Sequence, residues 1–245
     1  VQYPVKNVGR FVSEDSLHNK IYENCIETLR HCMHEHYEDC PWREQALYSF
    51  DSRNQALCGY YQFQEFAFAK ASIRLLGQSV GEDGFIKICA PSDSSLKIPS
   101  FSMVWVLEVK EYLEYSKDTA FSEFALQVAD KILSKAITNM KSGLAVPPEG
   151  ENYWHFYEWT DGYDDMNGGE LGFRKTEADF CDGMYQMFFY MALKSGEAIA
   201  ETAGNTELAM KYRQVAANLQ LAINKIFWNE EKRLYSSYRM RGEHV

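Results

Sequence analysis

Apolar residues recur every three to four positions along most of the chain, which is the spacing of amphipathic α-helices. This pattern predicts six helices, over residues 13–34, 51–76, 100–116, 118–141, 176–203 and 205–228. Residues 234–238 alternate instead and predict short strands near the C-terminal end. Because helices and strands do not alternate along the chain, the sequence predicts an all-α fold and not a parallel sheet.

The predicted helices differ in how many of their faces are apolar. Apolar residues in 51–76 and 100–116 cover more than one face, which is typical of inner helices buried on several sides. Those in 118–141 form a single stripe, as expected of an outer helix. Ser13 is expected to cap the first helix and Gly77 to end the second.

Two long loops separate the helices, at residues 80–99 and 143–175. The second loop mixes aromatic and acidic side chains, among them Tyr153, Trp154, Phe156, Tyr157, Trp159, Tyr163, Glu149, Glu151, Glu158, Asp161, Asp164 and Asp165. Long loops of this kind are more often functional than spare, so we interpret Trp159 as a ligand-binding residue. The alternative is a compact loop that packs on its own aromatic rings.

The densest chemistry lies in residues 38–51, where four carboxylates, one arginine and three aromatic residues occur together. If 42–51 is helical, Glu44, Tyr48 and Asp51 share one face. Carboxylates accept hydrogen bonds from sugar hydroxyls, and a ring covers the apolar side of a pyranose, so this face suits a carbohydrate. The alternative is a solvated acidic turn in which Arg43 pairs with a neighbour.

The segment Asp39-Cys40-Pro41-Trp42-Arg43-Glu44, followed by an aspartate seven residues later, resembles the signature of the inverting α-L-rhamnosidases of glycoside hydrolase family 78. The resemblance implies that Asp39 and Asp51 bind rhamnose and that Glu44 is the general acid. Tyr157-Glu158-Trp159 also resembles the aromatic–acid–tryptophan element that lines the sugar site of that family. We add Arg43, Tyr48, Trp159 and Asp161 as substrate-binding candidates, with Tyr48 and Trp159 as platforms for the sugar ring.

The segment between Glu44 and Asp51 departs from the family pattern. Where the family has Arg-Leu-Gly-Trp-x-Gly, this chain reads Gln-Ala-Leu-Tyr-Ser-Phe, so that Tyr48 replaces a tryptophan and both glycines are absent.

An inverting mechanism places two demands on the site. Glu44 must hold a proton near neutral pH, and the nearby Asp39 and Asp51 disfavour its ionised form. A second carboxylate must lie ~6.5–9.5 Å from the acid to activate water. The resemblance implies that this base lies beyond residue 245; Glu149, Glu151, Glu158 and Asp161 are the candidates within the chain.

The resemblance also implies an (α/α)6 barrel of six helical hairpins, of which this chain supplies about half. We expect residues 1–245 to form a single barrel catalytic domain that is truncated at its C-terminus and lacks N-terminal β-domains. An open half barrel exposes apolar surface, at about 25 cal/mol per Å², so we expect self-association through the open face.

Composition narrows the partners further. The apolar content of 46% supports a large core, and the net charge of −10 argues against nucleic acid and anionic membranes as partners. No apolar run is long enough to span a membrane. A neutral carbohydrate is compatible with this charge.

The cysteines and histidines give no sign of a metal site, and we expect no metal or other cofactor. The six cysteines form no C-x-x-C pair, and they favour buried thiols in a reducing compartment such as the cytoplasm. His31, His34 and His36 form the only histidine cluster, and solvated side chains are preferred there to metal ligands.

Two other functions remain open at the level of sequence. A non-catalytic helical carbohydrate-binding or scaffolding protein would keep the acidic and aromatic face and lack the base. A helical repeat array is a weaker alternative, because no internal period of 20–50 residues is apparent.

Overall fold

The computed structural model describes residues 2–160, 163–166, 181–240 and 243–244. Within these ranges the α-helices are α1 (Ser16–His31), α2 (Ser49–Gln62), α3 (Ala67–Gln78), α4 (Pro99–Ser116), α5 (Ser122–Thr138), α6 (Gly183–Thr202) and α7 (Thr206–Phe227), with a 3-10 turn at Thr119–Phe121. The strands are β1 (Met140–Lys141), β2 (Leu144–Ala145), β3 (Trp154–Phe156), β4 (Asp164–Met166), β5 (Cys181–Asp182), β6 (Trp228–Asn229), β7 (Leu234–Tyr235), β8 (Tyr238–Met240) and β9 (Glu243–His244). The predicted all-α class is confirmed.

The helices form two layers. Helix α4 packs against α2 on one side and α6 on the other, while α3, α5 and α7 pack behind these three. Every residue from Pro99 to Val106 is buried, which requires neighbours on all sides of α4. An inner layer of three helices backed by outer helices is about half of an (α/α)6 barrel, as the resemblance implied.

The predicted long helix over 51–76 is wrong, because the chain leaves the helix at Phe63 and starts a new one at Ala67. Gln64 adopts a left-handed backbone with φ of 51°. The Glu65 carboxylate then accepts hydrogen bonds from the backbone N–H groups of Ala67 at 2.7 Å and Phe68 at 3.1 Å. These bonds satisfy the free N–H groups at the start of α3 and so stabilise the break.

Gly77 was predicted to end the helix, but α3 continues past it and Gly77 lies buried within the helix. A Cβ atom at this position would come within 2.7 Å of the Trp105 ring. The glycine therefore lets α3 approach the inner helix α4 closely, and Trp105 Nε1 donates to the Ile73 carbonyl at 3.0 Å. The structure thus assigns a packing role to a residue that the sequence pattern presents as a stop signal.

Two predicted helix starts are also wrong. Asp15, not Ser13, caps α1, because its Oδ1 accepts from the Leu17 N–H at 2.8 Å. The helix predicted from residue 176 begins at Gly183; Cys181 and Asp182 instead pair with β8. The part of that prediction over 176–180 lies outside the described residues.

Other predicted elements are confirmed. Helix α4 matches the predicted 100–116, and the Asn205 side chain caps α7 by accepting from the Leu208 N–H at 3.0 Å. The predicted helix 118–141 begins as a 3-10 turn and ends at Thr138. Short strands occupy the C-terminal region, as the alternating pattern predicted.

The cysteines match the expectation of buried thiols only in part. No disulfide joins any of the six; Cys32 is buried, but Cys25 and Cys58 are exposed. The described residues contain no cluster of metal-binding side chains. None of the described helices is both long and apolar enough to cross a membrane.

Two serines join the segments that carry the candidate site. Ser49 Oγ donates to the Phe101 carbonyl at 2.7 Å, and Ser100 Oγ donates to the Phe156 carbonyl at 2.8 Å. These bonds tie the first turns of α2 and α4 to strand β3. The signature segment and the aromatic loop therefore meet at one end of the inner layer.

Candidate active site

The signature segment enters this end as a closed loop, so the condition considered above, that 42–51 is helical throughout, is not met. The backbone N–H of Asp39 donates to the Ala46 carbonyl at 3.0 Å, and Asp39 Oδ1 accepts from the Ala46 N–H at 2.9 Å. Gln45 adopts a left-handed backbone with φ of 50°, which a continuous helix does not allow. Helix α2 starts only at Ser49. Asp39 thus uses one carboxylate oxygen to close the loop.

The loop still brings Glu44 and Tyr48 together. Tyr48 Oη donates a hydrogen bond to Glu44 Oε2 at 2.6 Å, while Glu44 itself is exposed. The Tyr48 ring is half-buried and packs edge-on against Phe101, with 6.5 Å between ring centroids. Burial, together with the hydrogen bond to Glu44, raises the pKa of Tyr48 well above its usual value, so the phenol stays a donor at neutral pH.

Asp51 lies half-buried in the first turn of α2. Burial raises the pKa of Asp51 to about 6 against the effect of a hydrogen bond from its own backbone N–H. The negative charges of Asp39 and Glu44 also raise the pKa of Asp51. Asp51 can therefore carry or release a proton at mildly acidic pH.

An aromatic wall connects this acidic group to the long loop; we define it as Tyr48, Phe50, Phe101, Trp154, Phe156 and Trp159. Phe101 contacts Phe156 edge-on at 6.0 Å, and Phe156 contacts Trp159 at 4.9 Å. Trp159 also packs against Trp154 at 5.5 Å but remains 72% exposed. One face of this ring is therefore supported while much of its surface is open to a ligand.

The other predicted site residues are placed less closely. Arg43 is exposed and forms no ion pair with a described residue. Glu149 and Glu151 are exposed on the long loop, and Glu158 Oε1 accepts from the Trp159 N–H at 2.7 Å. Asp161 lies outside the described residues.

The histidines face different partners. His34 Nδ1 lies 2.9 Å from Glu38 Oε1, His31 Nδ1 lies 2.7 Å from Gln2 Nε2, and His36 Nδ1 lies 2.8 Å from the Tyr37 carbonyl. Glu38 is buried, so the prediction of solvated side chains is wrong for its partner His34, which is itself only partly exposed.

Sequence reasoning assigned no role to Glu108, which is buried between α2 and α4. Its Oε1 accepts from Ser52 Oγ at 2.8 Å, and burial raises its pKa to about 8. The sequence does contain a signal that could have identified this residue, because Glu108 is the single acidic residue within the otherwise apolar run 103–109. A lone carboxyl group in a fully buried helix is expected to be protonated or paired.

Comparisons with known proteins agree with this architecture. The family model described as the bacterial alpha-L-rhamnosidase 6 hairpin glycosidase domain matches residues 6–243. The structure of a glycoside hydrolase family 78 rhamnosidase of Bacillus sp. GL1 is similar over 98% of this chain, with a TM-score of 0.84 and 29% identity. No curated protein matches the chain in sequence.

More distant structures share the fold. A rhamnosidase from Klebsiella oxytoca with rhamnose bound has a TM-score of 0.73 and 22% identity over 92% of this chain and 42% of its own. An alpha-L-rhamnosidase of Streptomyces avermitilis complexed with L-rhamnose has a TM-score of 0.72 and 15% identity over 98% of this chain and 21% of its own. The chain spans 24% of the length of the Bacillus structure.

Proposed function

The chain belongs to the family of bacterial α-L-rhamnosidase six-hairpin glycosidase domains, and we propose that it hydrolyses terminal α-L-rhamnosides with inversion at the anomeric carbon. One observation carries the proposal: Tyr48 holds the exposed Glu44 at the end of the aromatic wall, where the charge of Glu44 also raises the pKa of Asp51. The arrangement combines a proton donor, hydroxyl acceptors and a ring platform, which a glycosidase site requires.

In the proposed mechanism Glu44 protonates the leaving oxygen of the glycoside. Its exposure allows it to reach a substrate bound against the wall. Asp51 accepts hydrogen bonds from rhamnose hydroxyls, and so does the Asp39 oxygen that does not close the loop. Trp159 covers the apolar side of the sugar ring, for which its exposed surface is suited.

The role of Glu44 is tested by comparing leaving groups. Glu44→Gln should slow hydrolysis of a rhamnoside with an alcohol leaving group by ~10²–10⁴-fold, because a positioned general acid contributes that much. A nitrophenyl rhamnoside needs little protonation of its leaving oxygen and should lose much less. Glu23→Gln, which removes an exposed carboxylate on α1, is the matched control and should leave both rates unchanged. Equal losses on the two substrates would contradict the assignment of the acid.

A non-catalytic carbohydrate-binding protein is the second candidate. One observation favours it: the carboxylate of Glu158, a candidate base, is bonded to the backbone of its own loop. Calorimetry that detects rhamnose binding, with no rhamnose released from any rhamnoside, would establish this alternative. Rhamnose release that Glu44→Gln abolishes would exclude it.

A further inference from the structure

The hydrogen bond that Tyr48 donates to Glu44 indicates a role for the Tyr48 hydroxyl in the reaction. Resting on the proposed role of Glu44 as the acid, we propose that Tyr48 is a positioning residue that holds one carboxyl oxygen of Glu44 and leaves the other to protonate the leaving group. The bond joins Tyr48 Oη to Glu44 Oε2 over 2.6 Å, which is short for a neutral pair and usual for a phenol donating to a carboxylate.

Glu44 needs such support because, among the described residues, Tyr48 alone forms a hydrogen bond with its side chain. Its side chain is exposed and has several rotatable bonds, and it stands on a turn that ends before α2 begins. An unrestrained glutamate samples many rotamers, so little of the population would direct a proton towards a bound glycoside. With Oε2 occupied by the phenol, the proton of the neutral acid sits on Oε1, which is the oxygen free to meet the substrate.

Tyr48 can act as this support because it is itself fixed. Its ring packs edge-on against Phe101, whose carbonyl accepts from Ser49 Oγ at 2.7 Å. The chain just before it is tied down as well, since the Leu47 carbonyl accepts from the Ala90 N–H at 3.4 Å. Leu47 is buried, so Tyr48 extends from the core towards the exposed acid.

The bond becomes stronger as the reaction proceeds. When the bond from the anomeric carbon to the leaving oxygen breaks, its electron pair goes to that oxygen, which takes the proton from Glu44 Oε1. A water molecule forms the new bond to the anomeric carbon from the opposite face and gives a proton to a second carboxylate, the base of the proposed mechanism. Glu44 becomes a carboxylate, and hydrogen bonds to a carboxylate are stronger than those to a neutral acid. Tyr48 therefore stabilises the developing negative charge more than the starting state, which raises kcat more than it changes KM.

The phenol keeps its proton throughout. Burial, the hydrogen bond to Glu44 and the negative charges of the nearby Glu44, Cys89 and Asp39 all raise the pKa of Tyr48, so the hydroxyl stays a donor to Glu44. Removal of the hydroxyl takes away the hydrogen bond that restrains the Glu44 side chain, which should then sample more rotamers.

The first experiment reads the order of the Glu44 side chain without requiring turnover. The protein is labelled with ¹³C at the glutamate side-chain methylene groups, and the Glu44 signal is identified by its loss in Glu44→Gln. Tyr48→Phe, which keeps the ring packing against Phe101, should increase the fast motion of the Glu44 side chain measured by ¹³C relaxation. Tyr61→Phe removes the hydroxyl of an exposed tyrosine at the far end of α2 and should leave Glu44 unchanged. A Glu44 side chain that is equally ordered in Tyr48→Phe and wild type overturns the proposal.

The second experiment separates this proposal from the proposed function. Tyr48→Phe should lower kcat for an alcohol-leaving-group rhamnoside about tenfold, with KM nearly unchanged, and should lower kcat for a nitrophenyl rhamnoside less. Full activity of Tyr48→Phe on both substrates refutes the positioning role and leaves the glycosidase intact. The predicted gain in Glu44 mobility in Tyr48→Phe, with no hydrolysis by any variant, supports the contact and removes the proposed function.

Discussion

Glu108→Gln should make the stability of the protein less dependent on pH. Glu108 is buried between α2 and α4, where Ser52 donates to one of its oxygens. Glu108 interacts electrostatically with the buried hydroxyl groups of Tyr37 and Tyr60. It also interacts with both members of the ion pair Arg53–Glu111. Burial dominates these effects and raises the pKa of Glu108 to about 8, so the folded protein holds this carboxyl group in its neutral form.

The size of the effect follows from the difference between the two states. A glutamate in the unfolded chain titrates near 4.3, so the folded pKa is the higher of the two. The stability due to the neutral acid is fully present below about pH 4.3 and is lost as pH rises through about 8. At about 1.4 kcal/mol per pH unit, the loss is on the order of several kcal/mol across this window. Glutamine keeps an oxygen that Ser52 can donate to and has no charge to desolvate.

Urea unfolding measured at intervals from pH 5 to pH 9 provides the assay. Wild type should lose stability towards high pH relative to Glu108→Gln, and the variant should be the more stable protein above about pH 8. Glu123→Gln, at an exposed position on α5, controls for the change in net charge. Other titrating groups contribute equally to both curves and cancel in their difference. Parallel curves for wild type and Glu108→Gln would refute the reasoning.

Three further predictions concern the surface and the sugar site. Asp51→Asn should weaken rhamnose binding by about ten- to a hundredfold in calorimetry, since a charge-assisted hydrogen bond contributes ~1.5–3 kcal/mol; unchanged affinity would argue against direct contact. Trp159→Ala should weaken rhamnose binding and leave the helical circular dichroism intact, whereas a large loss of helicity would show that the ring supports the fold. The groove of about 750 Å³ between α1 and α2 exposes Ile21 and Tyr61. We expect the protein to self-associate through this groove, so Ile21→Glu should lower the mass measured by sedimentation. A monomeric wild type would contradict this expectation.

The sequence predicted the helical layers well because burial leaves a periodic signal. Apolar residues of α4 cover more than one face, and the helix proved to be buried at every position from Pro99 to Val106; α7 starts where Asn205 predicts a cap. The break between α2 and α3 gave no such signal, since apolar residues continue through it at helical spacing. It depends on Gln64 adopting a left-handed backbone and on Glu65 reaching the N–H groups of the next helix.

The candidate site shows the same division between local and tertiary information. The four-residue spacing of Glu44 and Tyr48 suggested their proximity, but through a helix that does not form; a closed loop brings them together instead. The aromatic wall joins Tyr48 to Trp159 through Phe101 and Phe156, and their separation along the chain hides this contact. Tertiary packing creates it, so no local pattern could predict it.

The most direct test of the account is the configuration of the first sugar released. Proton NMR should follow hydrolysis of an α-L-rhamnoside in its first minutes, before the free sugar equilibrates between its two anomers. An inverting glycosidase with Glu44 as its acid should release β-L-rhamnose first, and Glu44→Gln should suppress that signal. Initial release of α-L-rhamnose, or β-L-rhamnose released at the wild-type rate by Glu44→Gln, would contradict the proposed mechanism.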